Sequence, residues 1–177
     1  IQATTVRGVG YLRRPIESIS QSVVTEGASI VGATVSQQAG VKGTGVKVAI
    51  IDAGFEGALN SYLSGELPNF TYLDLTTSAN FFSGGPHGTA CAEIVHDVAP
   101  EASLVLIKVS TLLTEQNAVN WCISNGVQVI SHSLGAPYAG YGDGKGDASA
   151  LADLAAQNEI LYVDAAGNNG DGDVYNG

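Results

Sequence analysis

The chain has 177 residues, 45% of them apolar, and its 7 basic and 17 acidic side chains give a formal net charge of −10. This length is typical of one domain with a sizeable core. A strongly acidic chain without clustered Lys and Arg is unsuited to nucleic acid, and no apolar run approaches the roughly 18 residues of a membrane span, so both roles are excluded.

The first 46 residues differ in charge from the rest of the chain. They carry four basic and two acidic side chains, a net +2, so the remainder carries −12. Residues 1–24 show neither an apolar period nor turn chemistry and are interpreted as a leader or linker, which leaves residues 25–177 as the folded part. Because the chain starts at Ile1 and not at Met, we expect a longer precursor.

Apolar runs and helical patterns alternate along the folded part. A short helix over 27–38 leads into a first strand over 46–51. Further buried strands are predicted over 103–109, 127–133 and 160–165, and helices over 87–98, 114–125 and 147–158. Near-continuous apolar strands are typical of a parallel sheet that is covered on both faces. The alternation therefore predicts the α/β class, with a three-layer α/β/α fold around a mostly parallel sheet.

Four polar residues lie where these strands end or where a helix begins. Asp52 ends the first strand, His87 opens a helix, Ser133 ends a later strand, and Asn168 follows the last one. In an open parallel sheet, binding and catalytic groups collect beyond the carboxyl ends of the strands. Each residue alone is typical of a cap or a turn. Together they predict a functional site at one edge of the sheet.

Four segments carry a resemblance to a known family. In chain order they are Val-Ala-Ile-Ile-Asp-Ala-Gly at 48–54, His-Gly-Thr-Ala-Cys-Ala at 87–92, Ser-Leu-Gly at 133–135 and Ala-Ala-Gly-Asn at 165–168. In order and context they resemble the subtilisin-like serine proteases, or subtilases (peptidase family S8). Two positions depart from the family pattern: Ala53 stands where Thr or Ser is more usual, and Glu93 stands where Gly is usual.

The resemblance implies a role for each of these residues. Asp52 would orient the imidazole of His87, and His87 would act as general base. Asn168 would donate its side-chain amide to the developing oxyanion. The segment Ser133, Leu134 and Gly135 would pair with an extended peptide or protein substrate. The implied function is that of a secreted serine endopeptidase that acts through an acyl-enzyme and requires no cofactor, with residues 25–177 as the N-terminal part of its catalytic domain.

The nucleophilic serine of that family is not found. It belongs to a Gly-Thr-Ser segment well after the oxyanion asparagine, whereas Gly-Thr occurs here only before Gly45 and before Ala90. A Gly-x-Ser-x-Gly elbow is also absent from the sequence. Ser131 and Ser133 flank His132 on a strand, so they point away from its ring. We expect the serine on a C-terminal remainder of the same protein, and the 177 residues alone to be inactive.

Metal and thiol chemistry receive weaker support. The acidic run at 170–173 would suit calcium, but Val174 occupies the place where a calcium loop needs Gly, so calcium stays open and no metal site is assigned. Glu93 and His96 form a single Glu-x-x-His spacing, where a di-iron bundle needs two. Cys91 and Cys122 have neither zinc-site spacing nor the number of a disulfide framework, and we predict two free, buried thiols.

Two other functions remain to be weighed. A receiver-like or nucleotide-binding α/β domain would use Asp52, but Gly43-Thr44-Gly45 precedes the strand instead of following it, and His87 and Asn168 would have no role. A non-catalytic subtilase relative that binds peptides stays open, because the serine is not seen.

Overall fold

The structure of this chain is a computed structural model, which describes residues 26–135 and 144–165. These residues form six α-helices and five β-strands. In chain order the elements are α1 Glu26–Ile30, α2 Ala33–Gln38, β1 Lys47–Asp52, α3 Ala58–Ser64, β2 Phe70–Asp74, α4 His87–Val98, β3 Ser103–Lys108, α5 Leu112–Ser124, β4 Val129–His132, α6 Asp147–Gln157 and β5 Leu161–Asp164. The predicted leader or linker, Asn168 and the acidic run at 170–173 lie outside the described residues.

The five strands form one parallel sheet in the order β2-β3-β1-β4-β5. Helix α4 contacts β1 and β3, and α5 contacts β1 and α6. The predicted three-layer α/β/α fold with a parallel sheet is confirmed. Strands β2 and β3 lie on one side of β1, with β3 between β1 and the edge strand β2, and the chain then crosses to the other side of β1 with β4. The switch point of the sheet therefore lies between β1 and β4, and ligands of such sheets bind beyond the carboxyl ends of the strands at that point.

Apolar cores lie on both faces of the sheet, because successive side chains of a strand point to opposite faces. Ile51 and Ile130 belong to the core under α5 and α6, whereas Ile50 belongs to the core under α4. By the same alternation, Asp52 points into the α4 layer and His132 points into the α5 and α6 layer. The side chains of Asp52 and His132, at the ends of β1 and β4, therefore lie on opposite faces of the sheet.

Several element boundaries differ from the predicted ones. The helix predicted over 27–38 is two helices, because Gly32 between them adopts a left-handed conformation with φ 79°. Helix α5 begins at Leu112, before the predicted residue 114, because Thr111 and Thr114 form a reciprocal capping box. Helix α3 and edge strand β2 were not predicted; the burial of β2 is only partial along its length, so its sequence lacks an apolar run.

No helix in the described part of the chain is both long enough and apolar enough to cross a bilayer. This agrees with the absence of long apolar runs from the sequence.

Candidate active site

The carboxylate of Asp52 is buried at the carboxyl end of β1, where the residue is only 2% exposed. Its Oδ1 accepts hydrogen bonds from the backbone N–H groups of Ala53 (2.8 Å) and Gly54 (3.2 Å). Its Oδ2 accepts a hydrogen bond of 2.7 Å from Nδ1 of His87. Burial of a carboxylate is costly unless donors replace water, and three donors do so here. The carboxylate is thus held rigidly, with one oxygen committed to the imidazole.

Two glycines bring helix α4 close enough for that bond to form. A Cβ on Gly88 would lie 2.6 Å from Cβ of Asp52, and a Cβ on Gly54 would lie 2.2 Å from the carbonyl oxygen of Gly84. The N–H of Gly88 donates to the carbonyl oxygen of Gly54 at 3.0 Å. The Asp-x-Gly and His-Gly motifs are therefore a packing requirement, because any side chain at Gly54 or Gly88 would separate the helix start from the end of β1.

His87 is the first residue of α4, and its side chain is 61% exposed. One ring nitrogen, Nδ1, is held by Asp52, while no residue in the described part of the chain hydrogen-bonds to Nε2. A ring oriented through one nitrogen and accessible at the other is the arrangement required of a general base. The predicted contact between Asp52 and His87 is present.

A buried lysine that the sequence analysis missed supports the segment before His87. Lys108, at the end of β3 and in register with Asp52, is 4% exposed. Its Nζ donates to the carbonyl oxygen of Asn80 (2.9 Å) and to Oγ of Ser83 (2.9 Å). These bonds fix the loop that leads into the turn before α4. The available signal was a lysine at the end of an otherwise apolar strand, since such a side chain must find acceptors where it is buried.

Cys91 lies one helical turn after His87 and joins the same site. Its Sγ is 4.0 Å from Nδ1 of His87, and its thiol lies close enough to the side chain of Ser133 for that side chain to lower its pKa. Burial raises the pKa of Cys91, and the charge on Asp52 raises it further, against the opposing effect of the Ser133 side chain. A thiol of raised pKa that faces the occupied ring nitrogen does not replace the serine, because attack requires a thiolate activated through Nε2.

The second cysteine has no part in the site. Cys122 is buried in α5, and burial raises its pKa to about 12. Both cysteines are free, as predicted. The prediction of two buried thiols is wrong for Cys91, which is only half-buried, because it lies one helical turn after the exposed His87 at the start of α4.

Of the described residues, Asp52, His87 and Cys91 are a group that could hold a metal ion, with one ligand atom each and these atoms within 4.8 Å of one another. A metal on Nδ1 would have to displace the hydrogen bond between His87 and Asp52. A His, Cys and Asp set suits a soft transition metal and not calcium, which takes oxygen ligands. The calcium expectation rests on the run at 170–173, outside the described residues, and stays untested.

The predicted substrate segment follows β4 at the same edge of the sheet. Ser133 lies next to Cys91 of α4, and Leu134 packs against the core under α5 and α6. Gly135 is exposed. The structure thus brings Asp52, His87 and Ser133 to one edge, as expected, while the position of Asn168 is not described.

Comparison with known sequences decides the family. The sequence model of the Subtilase family matches residues 43–176. The chain belongs to the subtilase family. The matched range contains Asp52 and His87, whose contact is described above, together with Asn168.

Individual subtilases agree with this assignment. The chain is 32% identical over 173 residues to the Major intracellular serine protease of Bacillus subtilis (strain 168), covering 84% of this chain and 50% of the relative. It is 31% identical over 169 residues to Subtilisin DY of Bacillus licheniformis, covering 83% of this chain and 56% of the relative. The chain spans about half the length of these curated relatives.

A solved structure shows the same fold. The crystal structure of MycP1 with the N-terminal propeptide removed superposes with a TM-score of 0.60 at 24% sequence identity. The similarity covers 80% of this chain and 48% of that one. The parallel sheet and its helices are therefore a subtilase-type arrangement.

Proposed function

We propose that this subtilase domain belongs to a serine endopeptidase that cleaves peptide bonds through an acyl-enzyme, with His87 as its general base and Asp52 as the carboxylate that orients it. One observation carries the proposal: a 2.7 Å hydrogen bond joins a carboxylate that is 2% exposed to an imidazole that is 61% exposed. This burial pattern keeps the orienting group in place and leaves the proton-transferring nitrogen accessible.

The chemistry follows from the orientation of the ring. A proton on Nδ1 that is donated to Asp52 leaves Nε2 as the acceptor, which is the tautomer that a general base needs. Nε2 would take the proton of a serine hydroxyl as its oxygen attacks the scissile carbonyl carbon. It would then deliver that proton to the departing amine, and the same cycle with water would hydrolyse the acyl-enzyme.

Asn168 is proposed as the oxyanion donor. Support comes from β5, which runs parallel to β4 and carries the chain toward the same edge as Asp52. A side-chain amide at that edge would stabilise the negative charge that develops on the carbonyl oxygen, and loss of such a donor in a subtilisin lowers the rate by about 100 to 1,000 fold. Ser133, Leu134 and Gly135 are proposed to hold the substrate backbone in an extended conformation.

The nucleophile is proposed to come from a segment of the same gene product outside these 177 residues. The sequence offers no Gly-Thr-Ser segment, and an accessible Nε2 leaves room for an incoming hydroxyl. An apolar groove of about 330 Å³ on the α4 face supports a further segment, since it is lined by aliphatic side chains including Val48, Val129 and Val163. Val163 is 49% exposed there, which favours additional packing.

The leader over 1–24 and a secreted location stay predictions. The charge difference between the first 46 residues and the rest supports a separate leader element. An acidic surface suits secretion, but a relative that is 32% identical carries the name Major intracellular serine protease, so the family alone does not decide the compartment.

Labelling with a fluorophosphonate probe tests the proposal. The complete gene product should be labelled at one serine and should hydrolyse peptides, and the 177 residues alone should not react. Stoichiometric labelling of the 177 residues would contradict the assignment of the nucleophile. Peptide binding by the complete product without turnover or labelling would instead favour the non-catalytic, peptide-binding alternative.

A further inference from the structure

A second carboxylate–histidine pair lies on the opposite face of the sheet. His132 ends β4 and Asp164 ends β5, and the two residues are in register. Nδ1 of His132 donates to Oδ1 of Asp164 at 2.7 Å. Here the histidine is the buried partner, with its side chain 8% exposed, and the aspartate is 56% exposed. The sealed ring has no access to a substrate, so the pair is not a second catalytic centre.

Helix α5 brings a second carboxylate close to the ring of His132. Oε2 of Glu115, in the first turn of α5, lies 3.7 Å from Nε2 of His132, and Nε2 is buried without a hydrogen-bond partner within the described ranges. His132 therefore ties β4 to β5 through its bond with Asp164, and Glu115 of α5 lies beside its other nitrogen.

An aromatic neighbour completes the packing around this ring. The centroid of the Tyr162 ring lies 5.5 Å from that of His132. Burial raises the pKa of Tyr162, and the nearby charges of Asp164 and Glu115 raise it further. The Tyr162 hydroxyl is thus neutral near pH 7, so the ring adds packing and no charge to the cluster.

The location of the pair is what gives it a function. The residues after His132 are the proposed substrate segment 133–135, and the residues after Asp164 lead to the proposed oxyanion donor at 168. The last described backbone bond between these segments runs from the N–H of Ala165 to the carbonyl oxygen of His132, at 3.1 Å. The His132–Asp164 side-chain bond lies at the same point, where both segments leave the sheet.

We propose that His132 and Asp164 are positioning residues that fix, relative to each other, the two points at 133 and 165 where the proposed substrate-contacting segments leave the sheet. This inference rests on the proposed function, because it takes 133–135 and Asn168 as contacts of an extended peptide. The pair acts through the backbone, since both side chains point toward the α5 and α6 layer. Loss of the bond between His132 and Asp164 should therefore weaken the binding of extended substrates more than that of short ones.

Asp164 is the residue to change, because its side chain is 56% exposed and its removal leaves no cavity in the core. Asp164→Ala removes the acceptor, whereas Asp164→Asn keeps an oxygen that can accept from Nδ1. Asp153→Ala on the exposed side of α6 is the matched control. In the complete gene product, Asp164→Ala should raise KM for an extended peptide amide by about tenfold, as small displacements of substrate-positioning groups do. KM for a single-residue ester should change by less than about twofold.

Asp164→Asn and Asp153→Ala should both stay within about twofold of wild type for both substrates. An unchanged KM for the extended peptide in Asp164→Ala would overturn the proposal. An equal rise in KM for the peptide and the ester would also overturn it, because a merely structural role would affect both substrates alike.

A binding measurement separates this inference from the proposed function. If the wild-type product does not hydrolyse peptides, the proposed function fails, and affinity for a fluorescent extended peptide becomes the readout. Weaker binding by Asp164→Ala than by Asp153→Ala then supports the positioning role, and equal binding overturns it. A wild-type product that neither hydrolyses nor binds peptides overturns both.

Discussion

Two histidine–aspartate pairs of this protein share one hydrogen-bond geometry and differ in which partner is buried. In each pair Nδ1 donates to a carboxylate oxygen at 2.7 Å. His87 is 61% exposed over an Asp52 that is 2% exposed, whereas His132 is 8% exposed under an Asp164 that is 56% exposed. The bond length alone therefore says nothing about chemistry. The accessible Nε2 makes one pair suitable for proton transfer, and the sealed Nε2 makes the other a structural tie.

The difference arises from how each pair is assembled. His87 comes from the start of a helix that approaches the end of β1 through Gly54 and Gly88, so its ring lies exposed at the edge of the sheet. His132 and Asp164 come from neighbouring strands in register, so their side chains stay within one layer of the fold. One ring is therefore exposed at the edge of the sheet, and the other is covered by the core.

The largest expected effect is on kcat, and it distinguishes the carboxylate of Asp52 from that of Asp164. Asp52→Asn in the complete gene product should lower kcat by about 10,000 fold, since the amide favours the wrong imidazole tautomer. Steady-state kinetics on a peptide amide measure this, with Asp164→Asn as the matched change in the other pair. A loss below about tenfold in Asp52→Asn would contradict the role of Asp52.

For stability, unlike for catalysis, the buried His132 should matter more than the exposed His87. His132→Ala removes a buried ring and leaves Glu115 facing a cavity, so the free energy of unfolding should fall by about 3 kcal/mol. His87→Ala removes a mostly exposed ring and should cost less than about 1 kcal/mol. Urea denaturation of both variants of the complete gene product measures the difference, and equal losses would show that the burial contrast has no energetic consequence.

The approach of α4 to β1 can be disturbed directly. Gly88→Ala would place a Cβ 2.6 Å from that of Asp52, so the helix start must shift and the bond between Asp52 and His87 must lengthen. A displacement of this size should lower kcat/KM by about 100 fold. Ala90→Ser, at an exposed position of the same helix turn, is the control. Wild-type kinetics in Gly88→Ala would refute the packing explanation of the motif.

The smallest expected effect concerns the thiols. Alkylation requires the thiolate, and both cysteines have raised pKa values, Cys122 at about 12. Iodoacetamide should therefore modify both more slowly than a free thiol at pH 7, with half-buried Cys91 reacting before Cys122, and both rates should rise with pH. Mass spectrometry over time gives the order. Fast modification of Cys91 at pH 7 would show that its thiolate is stabilised after all.

The fold could be predicted where burial is continuous and the signals are local. The central strands are apolar throughout, and α4 spans the predicted residues 87–98 because a Gly-Gly-Pro turn precedes it and a Pro follows it. Strand β2 and helix α3 were missed because both are short and only partly buried.

The site was predictable only in part, for a similar reason. The position of Asp52 at a strand end and of His87 at a helix start can be found from the sequence, and the family resemblance joins them. The contacts of Lys108 with the loop near Ser83, and of His132 with Asp164, depend on which strands lie side by side and in what register. Those facts are not local to any segment, so no reading of periodicity or motif would have paired these residues.

The central claim is that, of the two pairs, only the exposed one transfers protons. The most direct test is the kcat/KM of the complete gene product for a peptide amide before and after His87→Ala. We predict that the wild type hydrolyses the peptide and that the variant loses at least about 10,000 fold of that activity. Hydrolysis by His87→Ala at the wild-type rate would contradict the account.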